Sequence, residues 1–419
     1  MQLFLSQPGI LSSIGDSLSQ HVQTLLEGSD SPLTFSNKHF QENGLQGKCN
    51  TLGEVNTSLR AFPADLPKKH HSRNNQLLWH SLEQIEPTIQ KAISRFGRHR
   101  IAVVIGTSTT GVDENLPVFK YAAEHEDWSG AEFNQQQQYF SAPADFIAHQ
   151  YGLTNLIYGI STACTSGAKA LISAARLLNA NLCDAVICGG VDTLSLLTLV
   201  GFNSLSVLSA EQTNPFSANR QGINLGEGSA VFVMSKEKLD DHNVALLGYG
   251  ASSDAYHMSS PHPEGEGAIK AFQDALNSAQ LAPEAINWVN LHGTGTIHND
   301  QMEALAIHHI FGHNTPCTTT KPYTGHTLGA AGAIEAAILW GMIDRTFNPT
   351  GKLPAQLWDQ QADEKMPSIA ITDHMSSWKS DRRIGASSSF AFGGNNSVLI
   401  LGEVNSLINN SVICKFKTM

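Results

Sequence analysis

One stretch of the sequence decides the fold, because it joins an extended segment to a helix: Tyr158-Gly159-Ile160-Ser161-Thr162-Ala163-Cys164-Thr165-Ser166-Gly167-Ala168-Lys169. Beyond it, apolar residues recur at the helical spacing i, i+3, i+4, i+7 and i+10 over residues 168–178. Short, continuous apolar runs elsewhere in the chain are typical of strands buried on both faces of a sheet. These runs are Ile101–Ile105, Ala185–Cys188, Ala230–Met234 and Ile286–Leu291. The alternation of strand and helix predicts an α/β fold.

The same alternation begins a second time near residue 248. Leu246–Gly250 opens this second series and Ser397–Leu401 closes it, and no Pro-rich or Ser-rich linker separates the two. We therefore expect two tightly joined α/β halves, 1–247 and 248–405, followed by a tail at 406–419. The polar region from residue 20 to residue 100 is expected to form loops with one helix near Gln76–Phe96.

Composition excludes several classes of protein. The chain has 419 residues, of which 41% are hydrophobic and 15% charged, so it can bury a large core. A net charge of −11 argues against a nucleic-acid partner. No apolar run is long enough for a membrane span and the first residues do not resemble a signal peptide, so we expect a cytoplasmic protein. The six cysteines show no CxxC spacing, which indicates free thiols and neither a disulfide framework nor a zinc site.

Cys164 is the candidate nucleophile. The first turn of a helix presents unpaired N–H groups, which favour a thiolate and can lower a cysteine pKa from about 8.5 to about 3.5–7.5. Small neighbours, Ala163 and Gly167, leave room for an acyl group. The alternative is an inert buried thiol, which is our interpretation of Cys183 and Cys188.

Two histidines are the candidate partners of Cys164. His292 follows a buried strand and precedes glycines, and His326 precedes a helix of small residues whose positive end would keep the ring neutral. Two neutral imidazoles directed at one carbonyl oxygen would stabilise an enolate, as an oxyanion hole does. Either histidine alone could instead be a core or turn residue. The chain lacks an HExxH motif, so we expect no metal site.

A glycine-rich element, Ser387–Ser397, resembles a phosphate-binding loop but lacks the GK[ST] signature of one. Its glycines lie beside Phe390 and Phe392. We expect a mobile apolar gate there, with exposed backbone N–H groups, next to an acyl pocket.

Together these segments resemble the β-ketoacyl-ACP synthases of the thiolase superfamily, most closely the synthase II type. The matching motifs occur in the family's order: TACTSGA around Cys164, GFNSLSVLS at 201–209, PFSANRQGINLGEGSA at 215–230, SSDAYHMSSP at 252–261, HGTGTIHNDQMEALA at 292–306, KPYTGHTLGAAGAIEA at 321–336 and SFAFGGNN at 389–396. The resemblance implies a thiolase-like fold, in which two pseudo-duplicated halves form a five-layered α-β-α-β-α core.

The resemblance also implies residue roles. Cys164 is similar to the acyl-accepting nucleophile, and its N–H group and that of Phe392 would form the oxyanion hole. His292 and His326 resemble the pair that activates malonyl-ACP for decarboxylation. Lys321 and Glu335 match a charged pair that orders the site and holds His326 in place. The remaining roles are a phosphopantetheine site at Thr294, Thr296 and Ser259, a gate at Phe392 with Phe390, and an acyl pocket at Thr109 and Phe202.

Two departures from the family pattern change these expectations. Glu211 stands about where a basic carrier-contacting residue is common, so we expect docking of the carrier protein at Lys68, Lys69 and Arg73 instead. Thr109 replaces a bulkier apolar residue. We therefore expect an atypical acyl chain, such as a rigid unsaturated or aryl-primed one from a polyene pathway.

The implied function is decarboxylative Claisen condensation of an acyl-Cys164 intermediate with malonyl-ACP, in fatty acid or polyene and polyketide synthesis, without a metal, nucleotide or other cofactor. The implied partners are an acyl carrier protein and a second subunit, identical or a related chain-length factor, paired near Tyr158–Ala163. Two alternatives stay open. A thiolase-like or priming synthase would use CoA thioesters and a Cys-His-Cys site, whereas a non-catalytic chain-length factor usually lacks the cysteine.

Overall fold

The computed structural model describes residues 2–41, 50–130 and 132–404, so the predicted tail at 406–419 lies outside the described residues. The strands are β1 Leu3–Leu5, β2 Gly9–Leu11, β3 Thr34–Ser36, β4 Asn50–Leu52, β5 Ile101–Gly106, β6 Ile157–Ile160, β7 Ala185–Asp192, β8 Gly228–Ser235, β9 Val244–Ser253, β10 Trp288–Asn290, β11 Pro316–Thr318, β12 Ala370–Ile371, β13 Ile384–Phe390 and β14 Asn395–Glu403. The α-helices are α1 Leu18–Glu27, α2 Lys38–Gln41, α3 Arg73–Gln84, α4 Glu86–Phe96, α5 Leu116–His125, α6 Ala142–Tyr151, α7 Ser166–Asn179, α8 Leu196–Ser204, α9 Glu266–Ala279, α10 Ile297–Phe311, α11 Lys321–Thr324 and α12 Ala331–Ile343.

The two halves share one continuous hydrogen-bonded sheet path. Its order is β12-β11-β10-β13-β14-β9-β1-β8-β7-β5-β6, and β2 also pairs with β8. The short strand β1 joins the halves, because Phe4 pairs with Ser235 of β8 on one side and with Ala245 of β9 on the other. The boundary expected at 247/248 falls inside β9.

Helices cover both faces of each half, which confirms the five-layered thiolase-like fold. Two helices, α7 and α12, pack against each other and against strands of both halves. On the outer side of the first half lie α3, α4 and α6, and on the outer side of the second lie α9 and α10. The layers therefore run helix, sheet, helix, sheet, helix.

Side chains of β5 show how the strand sequence builds these layers. Neighbouring residues of a strand point to opposite faces. Ala102 and Val104 join the central core with α7 and α12, whereas Val103 and Ile105 join the outer core with α3, α4 and α6. A strand covered on both faces needs apolar residues at every position, which explains the continuous run.

The region before residue 100 is more helical than its sequence indicated. The helix expected near Gln76–Phe96 is two helices that meet at Ile85, because Pro87 has no N–H group and fits best in the first turn of a new helix. The earlier α1 begins at an N-cap, Ser17, and ends at Gly28 with φ 64°. No helix in the described part of the chain is both long and apolar enough to cross a bilayer.

Candidate active site

Cys164 lies in a sharp turn between β6 and α7. Ala163, just before it, has φ 51°, a left-handed conformation that is costly for a residue with a side chain. The Ser166 hydroxyl fixes this turn, since it accepts from the Thr162 N–H at 2.9 Å and donates to the Ala163 carbonyl at 2.6 Å. The turn projects the sulfur out of the sheet edge and towards α12.

Close packing of α7 against α12 brings His326 to this sulfur. A Cβ atom on Gly167 would lie 2.8 Å from the Ala333 nitrogen, and one on Gly332 would lie 2.8 Å from the Ala168 Cβ. Only glycine permits this approach. It places His326 Nε2 at 3.0 Å from Cys164 Sγ, although the two residues are 162 positions apart in the chain.

His292 completes the group from the end of β10. The rings of His292 and His326 lie 5.2 Å apart, edge to face, and the two rings and the sulfur offer ligand atoms within 4.8 Å of one another. A metal ion could in principle use these three atoms. Among the described residues no other set of three has this geometry.

The buried ion pair of Lys321 and Glu335 supports His292, which corrects the expectation that it holds His326. Lys321 Nζ lies 3.2 Å from His292 Nδ1 and also binds Glu335. An ammonium group can only donate, so His292 Nδ1 accepts and its proton is on Nε2. His326 Nδ1, in contrast, has no hydrogen-bond partner among the described residues.

Burial controls the charges of all three groups. It lowers the pKa of His292 and of His326 well below 6.5, and the positive charge of Lys321 lowers both further, so both rings are neutral. Burial also raises the pKa of Cys164 to about 12, although Lys321 and the N–H groups of Phe392 and Cys164 favour its charged form. Loss of hydration therefore opposes the thiolate that the helix start favours, which argues for a neutral thiol at rest.

Three buried carboxyl groups that the sequence did not single out position the site. Glu303 accepts from the N–H groups of His292 and Gly293 at 2.8 Å and 2.7 Å, and burial raises its pKa to about 7. Asp300 holds the next turn through the Gly295 N–H. Asp192 accepts from the Gly329 N–H beyond His326. The sequence did contain one sign of this role: Asp300 and Glu303 are one helical turn apart, shortly after His292.

An open cavity lies above the three groups, and all three line it. The hydroxyl-bearing residues expected to hold a pantetheine arm, Thr294, Thr296 and Ser259, line it. Phe202, Phe390 and Phe392 form its apolar wall.

The expected gate residues Phe392 and Phe390 differ in their surroundings, and Phe392 is followed by two glycines with positive φ. Gly393 and Gly394 have φ values of 86° and 78°, and a Cβ on Gly393 would meet nothing within 4 Å. The Phe392 ring stacks on Phe202 with 5.7 Å between centroids. Phe390 is buried and packs edge to face on His292 at 5.9 Å, so it is a fixed wall.

Thr109 does not line this cavity, which corrects its place in the expected acyl pocket. Its hydroxyl donates to Asp192 at 2.9 Å, and it accepts from the Thr193 N–H at 3.1 Å. A buried carboxylate attracts a hydroxyl more strongly than an apolar pocket does. The Thr109 side chain therefore fixes its own loop to Asp192 and Thr193.

The expected docking cluster is also different from its sequence-based interpretation. Arg73 makes an ion pair with the buried carboxylate of Glu227, with Nε 2.8 Å from Oε2. Lys68 is exposed and lies 3.4 Å from Glu132. Neither of these residues nor Lys69 lines the catalytic cavity. Arg73 is thus a structural cation, because Glu227 would otherwise be buried without a counter-charge.

The fold and the Cys-His-His group together define a thiolase-like acyltransferase site. The chain belongs to the β-ketoacyl synthase family: the family's N-terminal domain matches residues 9–239 and its C-terminal domain matches residues 244–352.

Comparison with individual proteins agrees with this assignment. The 3-oxoacyl-[acyl-carrier-protein] synthase 2 of Coxiella burnetii is 35% identical over 62% of this chain, and the match spans 64% of that protein, less than two thirds of its length. Nodulation protein E of Rhizobium leguminosarum bv. trifolii is 30% identical over 84% of this chain and 88% of that protein. The solved complex of the ketosynthase ApeO with its chain length factor ApeC, from Xenorhabdus doucetiae, contains a chain that is 42% identical, with a TM-score of 0.87 over 96% of this chain and 98% of that one.

Proposed function

We propose that the protein is a β-ketoacyl-[acyl-carrier-protein] synthase that condenses an acyl group on Cys164 with malonyl-ACP. The observation that carries this proposal is the contact of 3.0 Å between Cys164 Sγ and His326 Nε2, with His292 beside them under one open cavity. No bound cofactor is required by this chemistry.

The first half-reaction transfers an acyl group to Cys164. The thiol gives its proton to His326 Nε2 as the sulfur attacks the thioester carbonyl carbon. The N–H groups of Cys164 and Phe392, which are directed at the sulfur, stabilise the oxyanion that forms. The carrier thiolate then leaves and takes the proton back from His326, so both residues return to their starting charge.

The second half-reaction uses both histidines as N–H donors. Malonyl-ACP loses carbon dioxide, and the electron pair forms an enolate whose oxygen accepts from His292 and His326. Lys321 fixes the proton of His292 on Nε2, as required. His326 has an unpartnered Nδ1 among the described residues, so its proton can move to Nε2 once the thiol is acylated. The enolate carbon then attacks the acyl-Cys164 carbonyl, the bond from this carbonyl carbon to sulfur breaks, and β-ketoacyl-ACP is released. The Cys164 thiolate that leaves takes a proton from water and returns to the thiol.

This geometry also weighs against the two alternatives. A non-catalytic chain-length factor would have no use for the complete set of Cys164, His292, His326 and Lys321. A thiolase-like enzyme would place a second cysteine where this chain has a histidine.

We further propose an acyl carrier protein and a second synthase-fold subunit as partners. The names of the relatives support the first, and the ApeO–ApeC complex supports the second. We propose a cytoplasmic location, where a buried free thiol such as Cys164 stays reduced. The acyl group that Cys164 accepts would distinguish the two proposed pathways, which are fatty acid synthesis and polyene or polyketide synthesis.

The test is intact-mass analysis of the protein with a panel of acyl-ACPs, followed by malonyl-ACP. We expect one acyl adduct, absent from Cys164→Ala, and release of carbon dioxide with a β-keto product. His292→Ala should retain the adduct, since His326 and not His292 is the ring hydrogen-bonded to the sulfur, but decarboxylation should slow by about 10²–10³-fold, the usual cost of one such donor. Failure of every acyl-ACP to modify Cys164 would contradict the proposal.

A further inference from the structure

The rim of the catalytic cavity is apolar, and its side chains are exposed. Leu205, Tyr256, Met258 and Ile297 have exposed fractions of 53%, 56%, 79% and 56%. Leu205 stands between Phe202 and Val207, Met258 precedes Ser259, and Ile297 stands between Thr296 and His298, and all of these neighbours line the cavity. Tyr256 lines the adjoining hollow with His298. We call these four side chains the apolar rim.

The rim lacks the charge that would attract an acidic protein. The segments that form it, 202–211, 254–264, 296–302 and 390–396, contain no lysine or arginine but include Glu211, Asp254 and Glu264, which are at least partly exposed. The cations expected to dock a carrier do not line the cavity, and two of them have acidic partners, Glu227 for Arg73 and Glu132 for Lys68. Ion pairing with a basic patch is therefore a poor explanation of docking at this entrance.

Exposed apolar side chains gathered at one place usually mark a binding surface. Here the occupant is restricted by the cavity: a thioester on a flexible arm can reach Cys164 only if its carrier sits on the rim. We propose that the apolar rim docks the acyl carrier protein through an apolar face next to its phosphopantetheine serine, with little contribution from ion pairs. This inference rests on the proposed function and specifies the partner surface of the same site.

The gate gives the rim a direct connection to the chemistry. The Met258 carbonyl accepts from the Gly393 N–H at 2.7 Å, and Gly393 follows Phe392. The rim backbone therefore contacts the gate loop directly, and because the Met258 side chain takes no part in this hydrogen bond, a substitution there leaves the bond in place.

The experiment compares two acyl donors, both carrying the acyl group that loads Cys164 best in the mass assay. One is the acyl carrier protein and the other is the S-acyl pantetheine, which has no protein surface. Met258→Asp and Leu205→Asp should lower the rate of Cys164 acylation by the carrier protein at least tenfold and change the rate with S-acyl pantetheine less than twofold. Met375→Asp is the matched control, since Met375 is 87% exposed and does not line the cavity.

Salt and charge reversal separate apolar docking from ion pairing. Raising sodium chloride from about 50 to about 500 mM should change the rate with the carrier protein less than threefold, because apolar contacts are not screened. A Lys68→Glu, Lys69→Glu double variant should also retain its rate. Four results would each overturn the inference while Cys164 still accepts acyl groups. Two concern charge: a lower rate in the double variant, or a steep fall of the rate with salt. Two concern Met258→Asp: a rate equal to that of the parent, or a change of oligomeric state. Absence of acylation from both donors would instead reject the proposed function itself.

Discussion

At the scale of single residues, burial decides which proton moves. Cys164 and His326 are both neutral at rest, so the thiol is activated only when its proton passes to the ring 3.0 Å away. His292 differs because Lys321 fixes its tautomer. Two rings of the same type thus act differently: His326 exchanges a proton, and His292 only donates a hydrogen bond.

The first prediction concerns the reactivity of Cys164 in the free enzyme. With a pKa of about 12, the thiolate fraction rises about tenfold per pH unit throughout the range in which the protein is folded. The rate of carbamidomethylation of Cys164 by iodoacetamide, followed by mass spectrometry, should therefore keep rising from pH 6 to pH 9. A plateau below pH 8 would show a thiolate–imidazolium pair instead, and His326→Ala is the control that would remove such a plateau.

His21 supports a second prediction, on stability. Its ring contacts the Ser12 hydroxyl and the Ser17 carbonyl, both at 2.7 Å, and burial lowers its pKa from 6.5 to about 4. The folded state therefore binds this proton more weakly than the unfolded state, so this contribution to stability is full above pH 6.5 and is lost as the pH decreases from 6.5 to about 4.

Compared with His21→Gln, the parent protein should lose about 3 kcal/mol of unfolding free energy between pH 7 and pH 4. Urea unfolding monitored by circular dichroism measures both proteins. Parallel pH dependences for the two would refute the assignment, since every other titrating group is shared.

At the scale of elements, the contact between α7 and α12 sets the distance between nucleophile and base. Cys164 precedes α7 and His326 precedes α12, so any separation of the helices separates the sulfur from the ring. Glycine at positions 167 and 332 keeps the helix backbones close. The same requirement explains the small residues that fill the start of α12.

The third prediction is that Gly332→Ala both destabilises the protein and slows acylation. The new Cβ would lie 2.8 Å from the Ala168 Cβ, and overpacking of this kind typically costs about 1–3 kcal/mol. Urea unfolding and the rate of Cys164 acylation measure the two effects. Gly201→Ala, whose Cβ would meet nothing within 4 Å, should do neither, and a Gly332→Ala variant as active as Gly201→Ala would disprove the packing argument.

These elements also show what the sequence can predict. The apolar runs at 101–105, 185–188 and 230–234 are continuous because both faces of their strands are covered. Helix α7 shows regular helical spacing of its apolar residues, so the local sequence pattern was enough to predict these strands and this helix. Strand β1 has only three residues, and its pairing with β8 and β9 depends on segments more than 200 positions away. The ion pair of Arg73 and Glu227 likewise joins residues that are 154 positions apart in the chain. Local periodicity contains no information on such contacts, nor on the desolvation that raises the pKa of Cys164.

At the scale of the whole molecule, the sheet ends in an open edge at β6. This strand is the last in the sheet path, and its residues are only partly buried. Beside it, Tyr139, Phe140 and Leu156 are exposed. An edge strand with apolar neighbours is prone to pair with another chain, and here the pairing would also enclose the turn that carries Cys164.

The last prediction follows from this edge. Gly159 of β6 packs directly on the Phe140 backbone, since a Cβ on Gly159 would lie 1.8 Å from the Phe140 carbonyl oxygen. Phe140→Asp would place a charge beside the edge, and an interface that excludes water from β6 would have to bury it unpaired. We expect the purified assembly to sediment as a dimer and the variant to dissociate at least tenfold more readily. Phe35→Asp, at a residue 66% exposed on the separate β3–β4 ribbon, should leave the dimer unchanged. Equal dissociation constants for Phe140→Asp and the parent in analytical ultracentrifugation would place the subunit contact elsewhere, because no interface formed by β6 could tolerate that carboxylate without loss.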